Sequence, residues 1–217
     1  MKYPQARLLV FSKAPVAGQV KTRLIPLLGA EAAAALYADM LDDTLGKAVD
    51  ADLSPLELWC TPDVQHTHFR RCRERYPLKL HQQTTGDLGQ RMSQALHSVL
   101  QEADHAVLIG ADCPALCAAD IEAAMAALVA GTNVVLGPAS DGGYYLIGMS
   151  VPHPGLFENI TWSSPQVFET TVALCRRHGL DWACLPEHTD VDTPDDYREC
   201  CVAVSAADSG SKTWKIV

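Results

Sequence analysis

The chain has 217 residues, of which 48% are hydrophobic and 20% are charged, and its formal net charge is −9. This composition is typical of a globular protein, and the negative charge disfavours nucleic acid or an anionic membrane surface as a partner. No apolar run reaches the length of a membrane span or of a signal-peptide core, so we expect a cytoplasmic protein. The eight cysteines form no C-x-x-C pair, and we expect reduced thiols.

The first predicted strand, residues 7–12, has a continuous apolar run that is typical of a parallel strand covered on both faces. The loop after it, K-A-P-V-A-G-Q-V-K-T-R-L, contains Lys13, Lys21 and Arg23. Loops that follow parallel strands form the ligand-binding edge of an α/β sheet, so these cations suit the phosphates of a nucleotide. The alternative is a basic loop that is only solvated. The spacing does not match a Walker A loop.

The next elements alternate between helix and strand. Apolar residues at helical spacing predict a helix over residues 31–48, and short apolar runs predict strands over 56–60 and 78–82. An exposed polar helix is predicted between these strands, over 63–75.

A glycine-containing stretch, T-T-G-D-L-G-Q-R-M, then leads into a helix with an apolar stripe that begins at Leu88. Gly86 and Gly89 would allow the backbone to approach a ligand closely. Asp87 is either a residue of the binding site or only the cap of the helix that follows.

A single carboxylate stands at the end of the central predicted strand. The stretch V-L-I-G-A-D-C-P-A-L places Asp112 between Gly110 and Pro114, directly after a buried apolar run. Ligands of open α/β sheets bind at the carboxyl ends of the strands, and an acid there can hold a divalent cation against phosphate oxygens. The alternative is an aspartate that serves only the turn.

The second half of the chain contains two further motifs. A predicted strand at 133–136 leads into the turn S-D-G-G-Y-Y, which we interpret as the wall of a second substrate site. The segment T-W-S-S-P predicts a helix with Ser164 as its N-cap and Pro165 as its first residue. In T-D-V-D-T-P-D-D-Y, Thr193 is the predicted N-cap and Asp196 the reciprocal capping acid, with Asp192 directly before the cap.

Strands and helices alternate along the whole chain, which predicts an α/β protein with a mostly parallel sheet covered by helices on both faces, in three layers, α/β/α. No repeat or linker interrupts this pattern. Residues 1–206 are therefore expected to form one domain, and residues 207–217 a loose C-terminal tail.

Asp112 and Asp192 both fall at element ends on the same predicted edge of the sheet. Two carboxylates, together with water and phosphate oxygens, are a common way to hold Mg²⁺. With the basic loop opposite them, such a pair would stabilise the charge that develops on a diphosphate.

Six ordered motifs carry a resemblance to a known family. K-A-P-V-A-G-Q-V-K-T-R-L, G-D-L-G-Q-R-M, G-A-D-C-P-A-L, S-D-G-G-Y-Y-L-I-G, T-W-S-S and V-D-T-P-D-D-Y together resemble the glycosyltransferase-A-like (GT-A) family of nucleotide-diphospho-sugar transferases, across residues 7–200. The K-T-R-L loop and the D-G-G turn also resemble 2-phospholactate guanylyltransferase, and the V-D-T-P-D-D ending resembles sugar cytidylyltransferases.

The resemblance implies a nucleotide-binding, Rossmann-like sheet and a role for each matching residue. Asp112 and Asp192 would hold Mg²⁺ or Mn²⁺ and would form the catalytic set with Lys21. The motif at Asp112 is D-C-P rather than D-x-D, so its second carboxylate must come from elsewhere in the chain. The nucleotide would be bound by Lys13, Lys21, Arg23, Gly86, Asp87, Leu88 and Gly89. The acceptor side would contain Asp141, Gly142, Gly143 and Trp162.

Three functions follow as alternatives. The first is glycosyl transfer from a nucleotide sugar to a small acceptor, which the whole-chain resemblance favours. The second is nucleotidyl transfer from a nucleoside triphosphate to a phosphorylated acceptor, with release of pyrophosphate. The third is a non-catalytic nucleotide-binding module. The sequence leaves the base, the sugar, the acceptor and the oligomeric state open.

Overall fold

A computed structural model describes residues 1–206 of the chain, and the predicted C-terminal tail lies outside the described residues. Seven strands form one sheet: β1 (Ala6–Lys13), β2 (Leu56–Thr61), β3 (Leu78–Gln82), β4 (His105–Ile109), β5 (Val134–Pro138), β6 (Tyr144–Met149) and β7 (Trp182–Cys184). The α-helices are α1 (Ile25–Leu28), α2 (Ala30–Ala51), α3 (Thr67–Arg75), α4 (Leu88–Val99), α5 (Ala118–Val129), α6 (Val167–Arg177) and α7 (Pro194–Ala206). No helix within the described residues is long and apolar enough to cross a membrane.

The strand order is β3-β2-β1-β4-β6-β5-β7, and every neighbouring pair is parallel except the two pairs that include β6. The mostly parallel sheet predicted from the sequence is therefore confirmed. The reversal of β6 was not predicted. It follows from the turn of residues 139–143, because a parallel connection needs a dozen or more residues and this turn is far shorter.

The two faces of the sheet are covered by different helices, which gives the three predicted layers. Alternate residues of β1 point to opposite faces: Leu8 and Val10 pack with α2, α3 and α5, whereas Leu9 and Phe11 pack with α4 and α6. The odd and even residues of one strand thus belong to two separate cores. This double burial explains why the strand reads as an unbroken apolar run.

The segment after β7 is anchored beside the end of β4. The backbone N–H of Val191 donates to the carbonyl oxygen of Asp112 at 3.0 Å. The Val191 side chain is buried with Leu24, Leu36 and Met40, which belong to the basic loop and α2. These contacts bring the residues on either side of Val191 to the carboxyl edge of the sheet.

The predicted cap of the last helix is confirmed. Asp196 Oδ2 accepts hydrogen bonds from the backbone N–H groups of Asp192 at 3.1 Å and Thr193 at 2.7 Å, and the N–H of Asp196 donates to the Thr193 hydroxyl at 3.3 Å. Pro194 is the first helical residue, as predicted. The cap therefore fixes the backbone next to Asp192 without using the Asp192 side chain.

The predicted start of α6 was wrong by two residues. The helix begins at Val167 after Gln166, so Ser164 and Pro165 belong to a turn instead. A tertiary contact overrides the local signal, because the N–H of Phe168 donates to the carbonyl oxygen of Gly142 at 2.8 Å.

Asp120 links the start of α5 to the segment between β7 and α7. Its Oδ2 accepts a hydrogen bond from the Cys117 N–H at 3.0 Å and lies 3.0 Å from Nε2 of His188. Burial alone would raise the pKa of Asp120, but the Cys117 and His188 hydrogen bonds lower it below its usual value. The ionised carboxylate is thus the form that stabilises the fold.

We expect Asp120→Ala to lower the free energy of unfolding at pH 7 by at least the value of a helix cap, about 0.5–2 kcal/mol. A carboxylate whose pKa is lowered by folding stabilises the protein above its unfolded pKa, about 3.9, and that stabilisation is lost as the pH falls further. The difference between wild type and variant should therefore shrink in urea titrations below about pH 4. Asp50→Ala, at an exposed position of α2, is the control. An Asp120→Ala deficit that does not change with pH would contradict the assignment.

Candidate functional site

Two cavities meet at the carboxyl edge of the sheet. The larger has a volume of about 700 Å³ and lies between the end of β4, the turn of residues 139–143 and residues 162–165. The smaller, about 520 Å³, lies under the basic loop that follows β1. The two cavities share a boundary formed by Phe11, Arg23, Tyr37, Leu88, Asp112, Ser163 and Asp192.

An ion cluster stands at this boundary. Lys21 Nζ lies 3.0 Å from Asp112 Oδ2 and 3.0 Å from Asp192 Oδ1, and Arg23 Nη1 lies 3.4 Å from Asp192 Oδ2. The structure thus brings together Lys21, Asp112 and Asp192, the three residues that were predicted as catalytic and that are far apart in sequence. The Lys21 side chain is only 3% exposed, whereas Arg23 is 70% exposed. The basic loop is therefore solvent-exposed at Arg23 but not at Lys21.

The charge of Lys21 is fixed by its two partners. Burial by itself would lower the pKa of Lys21, but the negative charges of Asp112 and Asp192 raise it above its usual value. A buried ammonium with paired carboxylates avoids the large cost of an isolated buried charge. Lys21 is consequently a permanent cation between two acids.

The backbone at Lys21 adopts an unusual conformation to reach this position. Its φ is 46°, in the left-handed region that costs a residue with a side chain on the order of 1 kcal/mol or more. The Lys21 ammonium also lies 5.9 Å from the centre of the Tyr37 ring. The Tyr37 hydroxyl is 3.0 Å from Ser12 Oγ and accepts the N–H of Lys13 at 3.1 Å, so the ring is held firmly at the end of β1.

Asp190 is a third acid of the cluster that was not selected from the sequence. It lines the larger cavity, and its Oδ1 is buried without a hydrogen-bond partner. Burial, followed by the charge of Asp112, raises the pKa of Asp190 well above its usual range. The sequence does contain a signal for Asp190, which is the alternation D-V-D at residues 190–192. In an extended segment, residues two apart share a face, so a buried Val191 places Asp190 on the same face as Asp192. Val191 is buried in the structure.

The smaller cavity contains a cation that sequence reasoning also missed. Arg91, in the first turn of α4, lines this cavity with Lys13, Lys21 and Arg23. Its Nη1 donates to Gln83 Oε1 at 2.8 Å. The Gln83 amide in turn donates to the carbonyl oxygens of Trp59 at 2.8 Å and Ser12 at 3.4 Å, so the Arg91 side chain is held by a buried amide.

The stretch Gly86–Gly89 is only partly at the cavities. Leu88 lines both cavities, whereas Gly86, Asp87 and Gly89 are not among the lining residues of either one. Asp87 caps α4: its Oδ1 accepts the Gln90 N–H at 2.8 Å, and the Gln90 side chain accepts the Asp87 N–H at 3.0 Å. A Cβ at Gly89 would lie 2.3 Å from the Trp162 ring, so this glycine is needed for the contact with Trp162.

The predicted acceptor residues lie together around the larger cavity. Asp141, Gly143 and Trp162 line it, and Asp141 Oδ1 accepts the N–H of Gly143 at 2.8 Å. Gly142 lies behind them, where a Cβ would be 2.1 Å from the carbonyl oxygen of Pro165. The Trp162 ring meets the Tyr144 ring edge-on, with a centroid distance of 6.4 Å. This side of the site is therefore an aromatic wall next to a glycine-rich turn.

A separate group of possible metal ligands lies between α2 and α3. Asp42 Oδ1 is 3.1 Å from His68 Nε2 and 3.6 Å from Cys72 Sγ. The three ligand atoms lie within 4.8 Å of one another, but none of these residues lines either cavity. Burial by itself would raise the pKa of Asp42, but its contacts with His68 and Cys72 lower it. The same contacts link α2 to α3, so a structural role also explains this group.

The fold is that of a three-layer α/β protein of the nucleotide-diphospho-sugar transferase type. Residues 44–164 match the model of the family described as "Uncharacterized protein conserved in bacteria (DUF2064)", and the chain belongs to this family. The resemblance inferred from the motifs is confirmed at this level. No curated protein matches the chain.

Solved structures show the same fold over nearly the whole chain. A protein of Desulfovibrio desulfuricans G20, provisionally named as a nucleotide-diphospho-sugar transferase, is 30% identical with a TM-score of 0.88, over 97% of this chain and 93% of its own. A CMP:2-keto-3-deoxy-manno-octonic acid synthetase complexed with CTP is 11% identical with a TM-score of 0.59, over 93% and 99%. Rv0371c of Mycobacterium tuberculosis H37Rv, complexed with manganese, is 19% identical with a TM-score of 0.55, over 90% and 97%.

We expect Asp190→Asn to stabilise the ligand-free protein by about 1–3 kcal/mol at pH 8, because a buried carboxylate without full hydrogen bonding costs that much. Folding raises the pKa of Asp190, so its contribution is favourable only below the unfolded pKa and is lost as the pH rises through the folded one. The gain in melting temperature should therefore grow from about pH 4 upward. Asp50→Asn, at an exposed site, should give no such gain. A melting temperature lowered by Asp190→Asn at pH 8 would contradict this reading.

Proposed function

We propose that this chain is a metal-dependent transferase that binds a nucleotide sugar and transfers the glycosyl group to a small acceptor. The observation that carries the proposal is the ion cluster at the boundary of two cavities, with Lys21 Nζ 3.0 Å from both Asp112 and Asp192. The 30% identical relative, provisionally named as a nucleotide-diphospho-sugar transferase, supports the same class of reaction over 97% of the chain.

In this proposal the nucleotide binds in the smaller cavity, because the positively charged side chains of that cavity suit phosphate groups. Lys13, Lys21, Arg23 and Arg91 face it, and charge-assisted hydrogen bonds from such groups are the strongest contacts to phosphate oxygens. In this proposal the base and ribose lie along Gly86–Gly89, of which Leu88 reaches both cavities. The CTP bound by a synthetase of the same fold supports a nucleotide ligand.

The acids of the cluster fit a hard divalent cation. Carboxylate oxygens are the ligands that Mg²⁺ and Mn²⁺ prefer, and Asp190 adds a buried oxygen without a partner beside the predicted pair Asp112 and Asp192. These residues would hold Mg²⁺ or Mn²⁺, which would supply positive charge to the diphosphate of the donor. The manganese complex of Rv0371c, a protein of the same fold, supports this assignment.

The chain's own residues would stabilise the leaving group. During transfer, the bond between the anomeric carbon and the diphosphate oxygen breaks, and a bond forms between that carbon and an acceptor hydroxyl oxygen. The nucleoside diphosphate leaves with the electron pair, and the hydroxyl proton passes to a carboxylate of the larger cavity. Lys21 and Arg23 line the smaller cavity, where they would stabilise the charge that develops on the phosphates. Asp141, Gly142, Gly143 and Trp162 would contain the acceptor.

Nucleotidyl transfer is the second candidate, since the neighbours of this fold include a CMP-sugar-acid synthetase. Thermal-shift screening with nucleotide sugars and nucleoside triphosphates, with Mg²⁺, Mn²⁺ or a chelator, identifies the ligand class. Turnover assays then separate the reactions: glycosyl transfer releases a nucleoside diphosphate, whereas nucleotidyl transfer releases pyrophosphate. Pyrophosphate release would overturn glycosyl transfer, and nucleotide binding without turnover would leave only a binding module.

Arg23→Ala should weaken nucleotide binding by about 1.5 kcal/mol, the lower end for a charge-assisted contact because Arg23 is largely exposed. This corresponds to roughly a tenfold higher Kd, measured by calorimetry with the nucleotide found in the screen. The melting temperature should hardly change. Arg70→Ala is the matched control, because Arg70 is an exposed cation of α3 and lines neither cavity. Equal affinities for both variants and the wild type would remove the basic loop from the site.

Asp112→Asn and Asp192→Asn should each abolish the effect of Mg²⁺ or Mn²⁺ on nucleotide binding. Asparagine keeps the shape of the side chain but loses the charge that attracts a hard cation. Turnover should fall by about a hundredfold or more, because metal-ion stabilisation of a transition state is worth several kcal/mol. Lys21 retains one carboxylate partner in either variant, so folding should persist. Full metal-dependent activity in either variant would contradict its proposed role, and Asp50→Asn controls for net charge.

A further inference from the structure

The two cavities have opposite charge. Among the described residues, the smaller cavity is lined by four cations and two acids, and the acids are the shared Asp112 and Asp192. The larger cavity is lined by one cation, Arg23, and by five acids: Asp112, Asp141, Asp190, Asp192 and Asp196. The phosphates of a donor and a negatively charged acceptor would therefore meet very different surroundings.

A divalent cation at the cluster does not remove this difference. It would offset the charge of Asp112, Asp190 and Asp192, but Asp141 and Asp196 would still face the larger cavity. Arg23 already lies 3.4 Å from Asp192, so its charge is engaged at the boundary. A phosphate or carboxylate on the acceptor would thus be repelled, because like charges at short range in a partly desolvated cavity interact unfavourably.

The uncharged part of the larger cavity favours a ligand with an apolar face. Trp162 and Tyr144 form an edge-on aromatic pair, and Leu146 and Pro165 complete this wall. Aromatic rings pack on the C–H faces of a ligand, and carboxylates accept hydrogen bonds from its hydroxyl groups. A cavity with both therefore suits a molecule that combines C–H faces with hydroxyl groups.

From this charge partition we infer that the acceptor is an uncharged compound of the polyol or sugar class, and that phosphorylated acceptors are rejected. The inference rests on the proposed function and narrows it, since it assigns the substrate class of the larger cavity. Asp141 is the acid best placed to enforce the selection, because its Oδ1 is held by the Gly143 N–H and its charge does not belong to the ion cluster.

The test compares matched neutral and phosphorylated probes on the full chain, in the presence of Mg²⁺ and either UDP or GDP. The pairs are glycerol with glycerol 3-phosphate, and methyl glucoside with glucose 6-phosphate, with binding followed by saturation-transfer NMR. The neutral member of each pair should bind about tenfold or more tightly, the ratio expected for a repulsion of about 1.4 kcal/mol. The ratio should narrow at high salt, because screening weakens the repulsion.

Asp141→Asn is the discriminating variant. Asparagine preserves the oxygen that accepts the Gly143 N–H but removes the charge, so the affinity of each phosphorylated probe should rise several-fold relative to that of its neutral partner. Asp50→Asn makes the same change in net charge outside both cavities and should leave the ratio unaltered.

The outcomes separate this inference from the proposed function. Tighter binding of the phosphorylated probes, equal binding within each pair, or no binding of the neutral probes would overturn the acceptor class. Binding of UDP or GDP is measured in the same samples and reports on the smaller cavity alone. Failure of every nucleotide in the thermal-shift screen would count against the proposed function, whereas binding of UDP or GDP with the wrong probe preference would count only against the acceptor class.

Discussion

The site is organised by one interaction, the burial of Lys21 between Asp112 and Asp192. Neither acid is fully buried, but the lysine side chain is, and its charge needs both of them. The chain meets this need by placing the basic loop, the end of β4 and the start of α7 within reach of a single ammonium. The left-handed backbone at Lys21 and the hydrogen bond from Val191 to Asp112 lie in the segments that this cluster joins.

The same cluster divides the cleft into two environments. Within the described part of the chain, the smaller cavity is lined by the cations of the basic loop and Arg91 and by no acids besides the shared Asp112 and Asp192. In the larger cavity, five acids outnumber one cation, Arg23. In a cleft with the same charge throughout, a polyanion and a second substrate would both experience the same electrostatic potential. In the proposed reaction, the transferred group would pass this boundary, and each half would be selective for the charge of its own ligand.

The sequence predicted the elements whose signals are local, and it failed where distant contacts decide. The apolar runs of β1 and β4 and the capping residues Thr193 and Asp196 act through their own neighbours, so their predictions were correct. The start of α6 was wrong because the Gly142 carbonyl, from another part of the chain, binds the Phe168 N–H. Arg91 and Asp190 were missed for a similar reason. Their roles depend on Gln83 and Asp112, which only the folded sheet brings beside them.

The contact between Gly89 and Trp162 has a consequence for how related chains can diverge. The indole ring occupies the volume in which any side chain at position 89 would lie, since a Cβ there would be 2.3 Å from a ring atom. The two positions therefore cannot vary independently. A family member with a larger residue at position 89 must carry a smaller one at position 162 or move the loop that holds it. Because Trp162 also forms the wall of the larger cavity, such a paired substitution would mark a subgroup whose cavity has a different size.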